Sequence, residues 1–214
     1  MGQRHAMAEH APAEGEDMWS LSQILVAVSA AFITPAAGPA DDGQWPVGGY
    51  RFSDEMGGFR IVEAHGEGTR RDPVVLTQEF YSASPVVLVI RGYGPDAGPR
   101  TIPGSPGTAL YLTLRTRNAS GLGWIEFQFE LQEEPGQPST YGDGLSFDQR
   151  RFEPRGMGSD SFELHDRNFE PHDRLLFREG KVDPDETASF SILITDLTPV
   201  SPFYLVQDPR IPLS

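Results

Sequence analysis

The chain has 214 residues, of which 38% are hydrophobic and 10% aromatic, with 23 glycines, 19 prolines and a formal charge of -14. That length suits one sizeable core, and the glycine and proline content supplies the turns of a many-stranded protein. The charge excludes nucleic acid as a partner and opposes an anionic bilayer, while the absence of cysteine excludes disulfides, thiolate nucleophiles, iron-sulfur clusters and cysteine-rich zinc sites.

Residues 1–17 (MGQRHAMAEHAPAEGED) are polar and acidic with nothing to bury, and read as a disordered segment or as the product of an early start site. Residues 21–33 (LSQILVAVSAAFI) are apolar and uncharged, and TPAAGPA then leads to Asp41 and Asp42. The stretch suits the hydrophobic region of a secretory signal better than a membrane span, which needs about 20 apolar residues. Gly38 and Ala40 are the small residues expected before a cleavage after Ala40, so residues 1–40 read as a leader and 41–214 as one domain. The segment ahead of the apolar run departs from a secretory signal, being long and acidic from Met1 and lacking a base from Met18. Export to the periplasm or the exterior is the expectation. A signal anchor or amphipathic helix, and an intracellular helix packed on the domain, are the alternatives.

After Asp41 the dominant signal is period-2 alternation. YRFSD, GFRIVEAHG, PVVLTQEF and PVVLVIRGY come first, and the unbroken apolar stretches of the last two predict central strands buried on both faces. GYGPDAGPRTIPGSPG is too long for a tight hairpin and reads as a crossover or an exposed loop. In TALYLTLRTRN, Leu110, Leu112 and Leu114 face one way and Tyr111, Thr113, Arg115 and Arg117 the other. In WIEFQFEL, Ile125, Phe127, Phe129 and Leu131 alternate with Glu126, Gln128 and Glu130, and the intervening NASGLG predicts a turn between antiparallel neighbours. LSFDQRRF, DSFELHD, DRLLF, the alternating Phe190, Ile192 and Ile194, and PFYLVQ complete about ten or eleven strands, more than one flat sheet comfortably holds. The predicted fold is therefore all-β, an antiparallel two-sheet sandwich.

Candidate sites are few. In STYGDGLSFDQ, Asp143 between two glycines and Asp148 five residues on, with Ser139 and Thr140 upstream, offer oxygen ligands to calcium, although Gly-Asp-Gly is equally ordinary turn chemistry. HDRNFEPHDR repeats His-Asp-Arg, so that His165, Asp166, His172 and Asp173 could meet across a turn around Pro171 and hold a metal. The same segment also reads as a polar hairpin whose charges pair with one another. Tyr111, Trp124 and Tyr141 could form an aromatic platform for a sugar ring or a partner protein, or pack in the core. No G-x-S-x-G elbow accompanies the three domain histidines His65, His165 and His172, and no two acids are paired by spacing as a glycosidase requires. Asn118-Ala119-Ser120 is a formal glycosylation sequon.

The strings FSDEMGGFRIVEAHGEGTRRDPVVLTQEF, PVVLVIRG, GWIEFQFEL, YGDGLSF and PFYLVQDPRIP resemble a family of uncharacterised exported bacterial β-rich proteins, with the likeness running from about Phe52 to Pro212. WIEFQFEL and PDETASFSILI also resemble paired strands of immunoglobulin-like envelope domains, a likeness of fold that implies no activity. The expectation is a non-enzymatic exported domain with a binding or structural role. A metal-dependent hydrolase and a calcium-dependent carbohydrate-binding module are the alternatives. A protein or glycan partner fits this reading, no cofactor other than calcium is implied, no membrane helix is expected in the mature domain, and free edge strands leave the oligomeric state open.

Overall fold

The computed structural model describes residues 38–92, 107–149 and 156–212. The chain divides into two units, Met1–Ile33 and Thr34–Ser214, and every described residue falls in the second. Residues 1–37 of the leader, the long connection 93–106 and the RRF end of LSFDQRRF lie outside the described residues.

Among the described residues thirteen strands follow one another: β1 (Trp45–Val47), β2 (Tyr50–Ser53), β3 (Phe59–His65), β4 (Val74–Phe80), β5 (Val86–Gly92), β6 (Thr108–Asn118), β7 (Glu126–Gln132), β8 (Leu145–Phe147), β9 (Gly158–Ser159), β10 (Phe162–Asp166), β11 (Arg174–Gly180), β12 (Thr187–Asp196) and β13 (Phe203–Arg210). They form two sheets, ordered β1-β2-β5-β13-β7-β11-β10 and β3-β4-β6-β12-β8, with β9 pairing β12 beside the second. The protein is an all-β sandwich. Among the described residues no helix is long and apolar enough to cross a membrane.

Alternation places the core between the sheets. Leu110, Leu112 and Leu114 of β6 are at most 1% exposed, while Arg115 and Arg117 on the opposite side are exposed. Phe127, Phe129 and Leu131 of β7 and Phe190 of β12 are fully buried. The ring of Phe190 lies 4.6 Å from that of Phe127, 5.2 Å from Phe129 and 5.2 Å from Phe177, so one side chain of the second sheet touches three aromatics of the first. A polar contact crosses the same core. Gln78 of β4 donates to Gln207 of β13 at 2.6 Å and to Thr116 of β6 at 2.8 Å, and Gln207 donates back at 3.2 Å. Each buried amide is thereby satisfied by the other, as burial demands.

Two local features aim the chain over the sheet. Gly66 ends β3 with φ +99°, and a Cβ there would stand 1.9 Å from the Pro73 carbonyl oxygen, so only glycine lets the β3–β4 loop close. A register shift between Ile61 and Glu63 marks a bulge in β3, the edge strand of its sheet, and such a bulge discourages pairing with another chain.

Three sequence expectations are corrected. NASGLG does not join neighbouring strands, because β6 and β7 belong to different sheets and the turn carries the chain from one to the other. The β4 run is buried on one face only, with Val75, Thr77 and Glu79 half-buried on the other, since its hydrophobicity includes residues that meet a partly open sheet face. Ile125 is 43% exposed, because it precedes β7 and lies beyond the covered part of the core. The antiparallel expectation holds for every described strand pair except β4–β6, which run parallel.

Candidate functional site

The outward face of the second sheet carries a shallow depression. It is a groove of about 200 Å³ lined by Arg70, Pro73, Tyr111, Thr113, Gly156 and Ser191, with backbone of β6 and β12 beneath. Thr113 and Ser191 are register partners across β6 and β12, so their hydroxyls share one row of the sheet. Arg70 and Pro73 arrive on the β3–β4 loop, which is tied down by a bond from the Tyr111 backbone N–H to the Gly68 carbonyl at 3.2 Å. One guanidinium, one phenol and two hydroxyls thus converge over rigid strands. At this size the groove is smaller than the roughly 300–1,000 Å³ of pockets that enclose a whole small molecule, and it fits a single ring or side group of a longer ligand.

A second polar centre lies around the β7–β8 connection. Asp143 Oδ2 accepts from Ser139 Oγ at 2.8 Å and from the Thr140 N–H at 2.7 Å, and its Oδ1 accepts from the Leu145 N–H at 3.1 Å. Both oxygens are therefore spent on closing the turn. The second His-Asp-Arg triplet packs onto this loop: His172 bridges to Thr140, the Asp173 N–H donates to the Ser139 carbonyl at 3.0 Å, and Ser146 Oγ donates to Asp173 Oδ1 at 2.5 Å. Asp173 is only 4% exposed, and its Oδ2 is buried without a hydrogen-bond partner. Burial, with the nearby Asp143 charge adding to it against the Ser146 bond, pushes the Asp173 carboxyl up to about 6. Burial also raises Glu133 and Asp196, each reinforced by Asp143.

The predicted ligands only partly converge. The loop of Asp143 and the pair His172 and Asp173 come together, which the sequence does not reveal because 29 positions of chain separate positions 143 and 172. Asp148 is fully buried; its carbonyl accepts from Arg167 Nη1 at 3.0 Å and its carboxylate lies 3.9 Å from the same group. His165 and Asp166 sit apart from the second triplet on the strand β10. The His165 ring lies 5.9 Å from Phe177, burial and the Arg167 charge lower its pKa, and Asp166 accepts from the Asn168 N–H at 2.9 Å. Among the described residues no three or more His, Cys, Asp or Glu side chains gather as a metal site. Since the Asp143 oxygens are already taken, millimolar calcium is expected to leave the melting midpoint where chelator leaves it. A ligand at about 100 times its dissociation constant would add roughly 2.7 kcal/mol, so a clear rise in midpoint would make this loop a calcium site.

The aromatic platform does not assemble from the three residues. Tyr111 lines the groove, Tyr141 belongs to the β7–β8 connection, and Trp124 is a core residue at 0% exposure, packed 5.7 Å from Phe80 and 5.5 Å from Phe127. Trp124 is drawn inside because the chain changes sheets at this point and the indole fills the end of the core. Asn118 of the sequon is likewise buried, donating to the Leu122 carbonyl at 2.7 Å and accepting from Ser120 Oγ at 2.6 Å, so its amide is part of a turn. The groove residues Arg70 and Ser191 carried no motif; the outward positions of TALYLTLRTRN and SFSILIT are the signal that could have placed Thr113 and Ser191 on one face.

No family model, no curated protein and no solved structure matches the chain.

Proposed function

We propose that this protein is a non-enzymatic exported binding domain whose ligand, a glycan, rests in the outward groove of the second sheet. The observation that carries the reading is the convergence of Tyr111, Thr113, Ser191 and Arg70 on one open depression over paired strands. An aromatic ring offers an apolar face to a sugar, and hydroxyls and a guanidinium bond its oxygens, while the sheet beneath holds them in place without ordering cost. The apolar run 21–33 and the small residues Gly38 and Ala40 support export.

The groove predicts its own test. Ser191 is exposed and points outward, so Ser191→Tyr fills the depression without touching the core. On a glycan array the unaltered protein should give a signal that this variant loses, with an unchanged melting midpoint. A glycan signal that persists in the blocked variant would move the site elsewhere on the surface, and no signal from the unaltered protein would remove glycans as the ligand.

A further inference from the structure

The surface beside the groove narrows the ligand class. Across β4, β6 and β12 the register sets Thr77, Arg115 and Ser189 in one row and Val75, Thr113 and Ser191 in the next. Adjacent strands are about 4.8 Å apart, so Arg115 stands among hydroxyls one row from the groove. Further along the same face Arg60 and Arg117 are both occupied, holding Glu79 at 3.1 and 3.2 Å, and Arg117 also takes Asp185 at 2.8 Å. Those guanidiniums, Arg117 foremost, keep the Glu79 carboxyl below its ordinary value. Arg115 is different: it is exposed, and among the described residues it has neither an ion pair nor a hydrogen-bonded partner. In a chain with 31 acids against 17 bases, Arg115 is an outward arginine beside hydroxyl-bearing strands with no ion pair among the described residues, although Asp160 reaches the same row by accepting from the Ser189 N–H at 2.8 Å.

We propose, resting on the groove reading above, that the ligand is an acidic sugar unit: a polyhydroxylated ring bearing one carboxylate, with the ring against Tyr111, Thr113 and Ser191 and the carboxylate taken by Arg115. A guanidinium matches a carboxylate with two parallel donors, a geometry that lysine does not reproduce. The net charge of -14 sets the upper limit on the ligand, because a long polyanion is repelled by the rest of the surface while a single acidic unit in the groove is not.

The experiment is calorimetric titration of the full chain with galacturonic and glucuronic acid, with galactose and glucose as neutral counterparts, and with acetate and sulfate as bare anions. The uronic acids should bind at least about tenfold tighter than the neutral sugars, and both bare anions should bind more weakly still. Arg115→Ala should erase the preference for acid while leaving neutral-sugar affinity unchanged, and Arg115→Lys should restore only part of it. Arg178→Ala, an exposed arginine on β11 of the other sheet, should change nothing, which separates a local contact from overall charge. Equal affinity for acidic and neutral sugars that Ser191→Tyr abolishes would overturn this inference and leave the groove as a glycan site. A preference that survives Arg115→Ala would overturn the assignment of that residue, acetate or sulfate bound as tightly as the uronic acids would overturn the sugar, and the absence of any sugar binding would remove both readings.

Discussion

Replacing Phe190 with alanine is expected to destabilise the protein by about 3–5 kcal/mol, the range for deleting a fully buried phenylalanine from a packed core. Phe190 is at 0% exposure on β12, and its ring meets Phe127, Phe129 and Phe177 from the facing sheet as well as Phe162 at 5.9 Å. The loss therefore has two parts, the apolar area returned to water and the void left among aromatic rings that are held by their own strands and cannot close in. Phe190→Leu should cost markedly less, because it refills most of the volume. Urea denaturation followed by tryptophan fluorescence reads both, since Trp124 belongs to the same core. A cost below about 1 kcal/mol for the alanine variant would mean that the two sheets do not depend on this contact.

Replacing Asp173 with asparagine is expected to stabilise the protein at pH 8, by about 1–3 kcal/mol, and to have no such effect at pH 4. In the folded protein the carboxyl titrates at about 6, above the roughly 3.9 of an unfolded chain. Between about pH 4 and pH 6 the native state holds the proton that the unfolded state has released, so stability falls as pH rises through that window and stays reduced above it. At pH 8 the native protein carries a buried charge with one oxygen bonded by Ser146 and the other unpartnered. Asparagine keeps an acceptor for Ser146 and removes the charge. Denaturant melts of both proteins at pH 4 and pH 8 check the sign. If the carboxylate proves as stable as the amide at pH 8, then something compensates its charge, and the calcium titration described above identifies whether that something is a cation.

The groove and the acidic loop differ in how far each was legible. Tyr111 reads as an aromatic facing out of its strand, and it lines the groove; Trp124, offered by the sequence only as part of the same aromatic platform, lies in the core against Phe80 and Phe127 where the chain changes sheets. Asp143 stands out in the sequence by its Gly-Asp-Gly context, yet its oxygens serve the turn itself, as that context equally allows. Asp173 was visible only as one of a repeated triplet. Its raised pKa depends on burial under the β7–β8 connection, a property of neighbours remote in sequence.

By itself the sequence determined the all-β class, the faces of β6 and of the first halves of β7 and β12, and the inward aromatics, because period-2 alternation is a local code that the pleat converts into inside and outside; Glu130, Leu193 and Thr195, on the alternate side of their strands, are buried as well. It did not determine which strands pair. That β6 leaves its sequence neighbour β7 for the other sheet, that β4 lies parallel to β6, and that Arg115 comes to stand between Thr77 and Ser189 were decided only in the tertiary structure. Strand pairing is chosen by closing the whole core at once, and the residues that meet in the groove are neighbours only after that choice has been made.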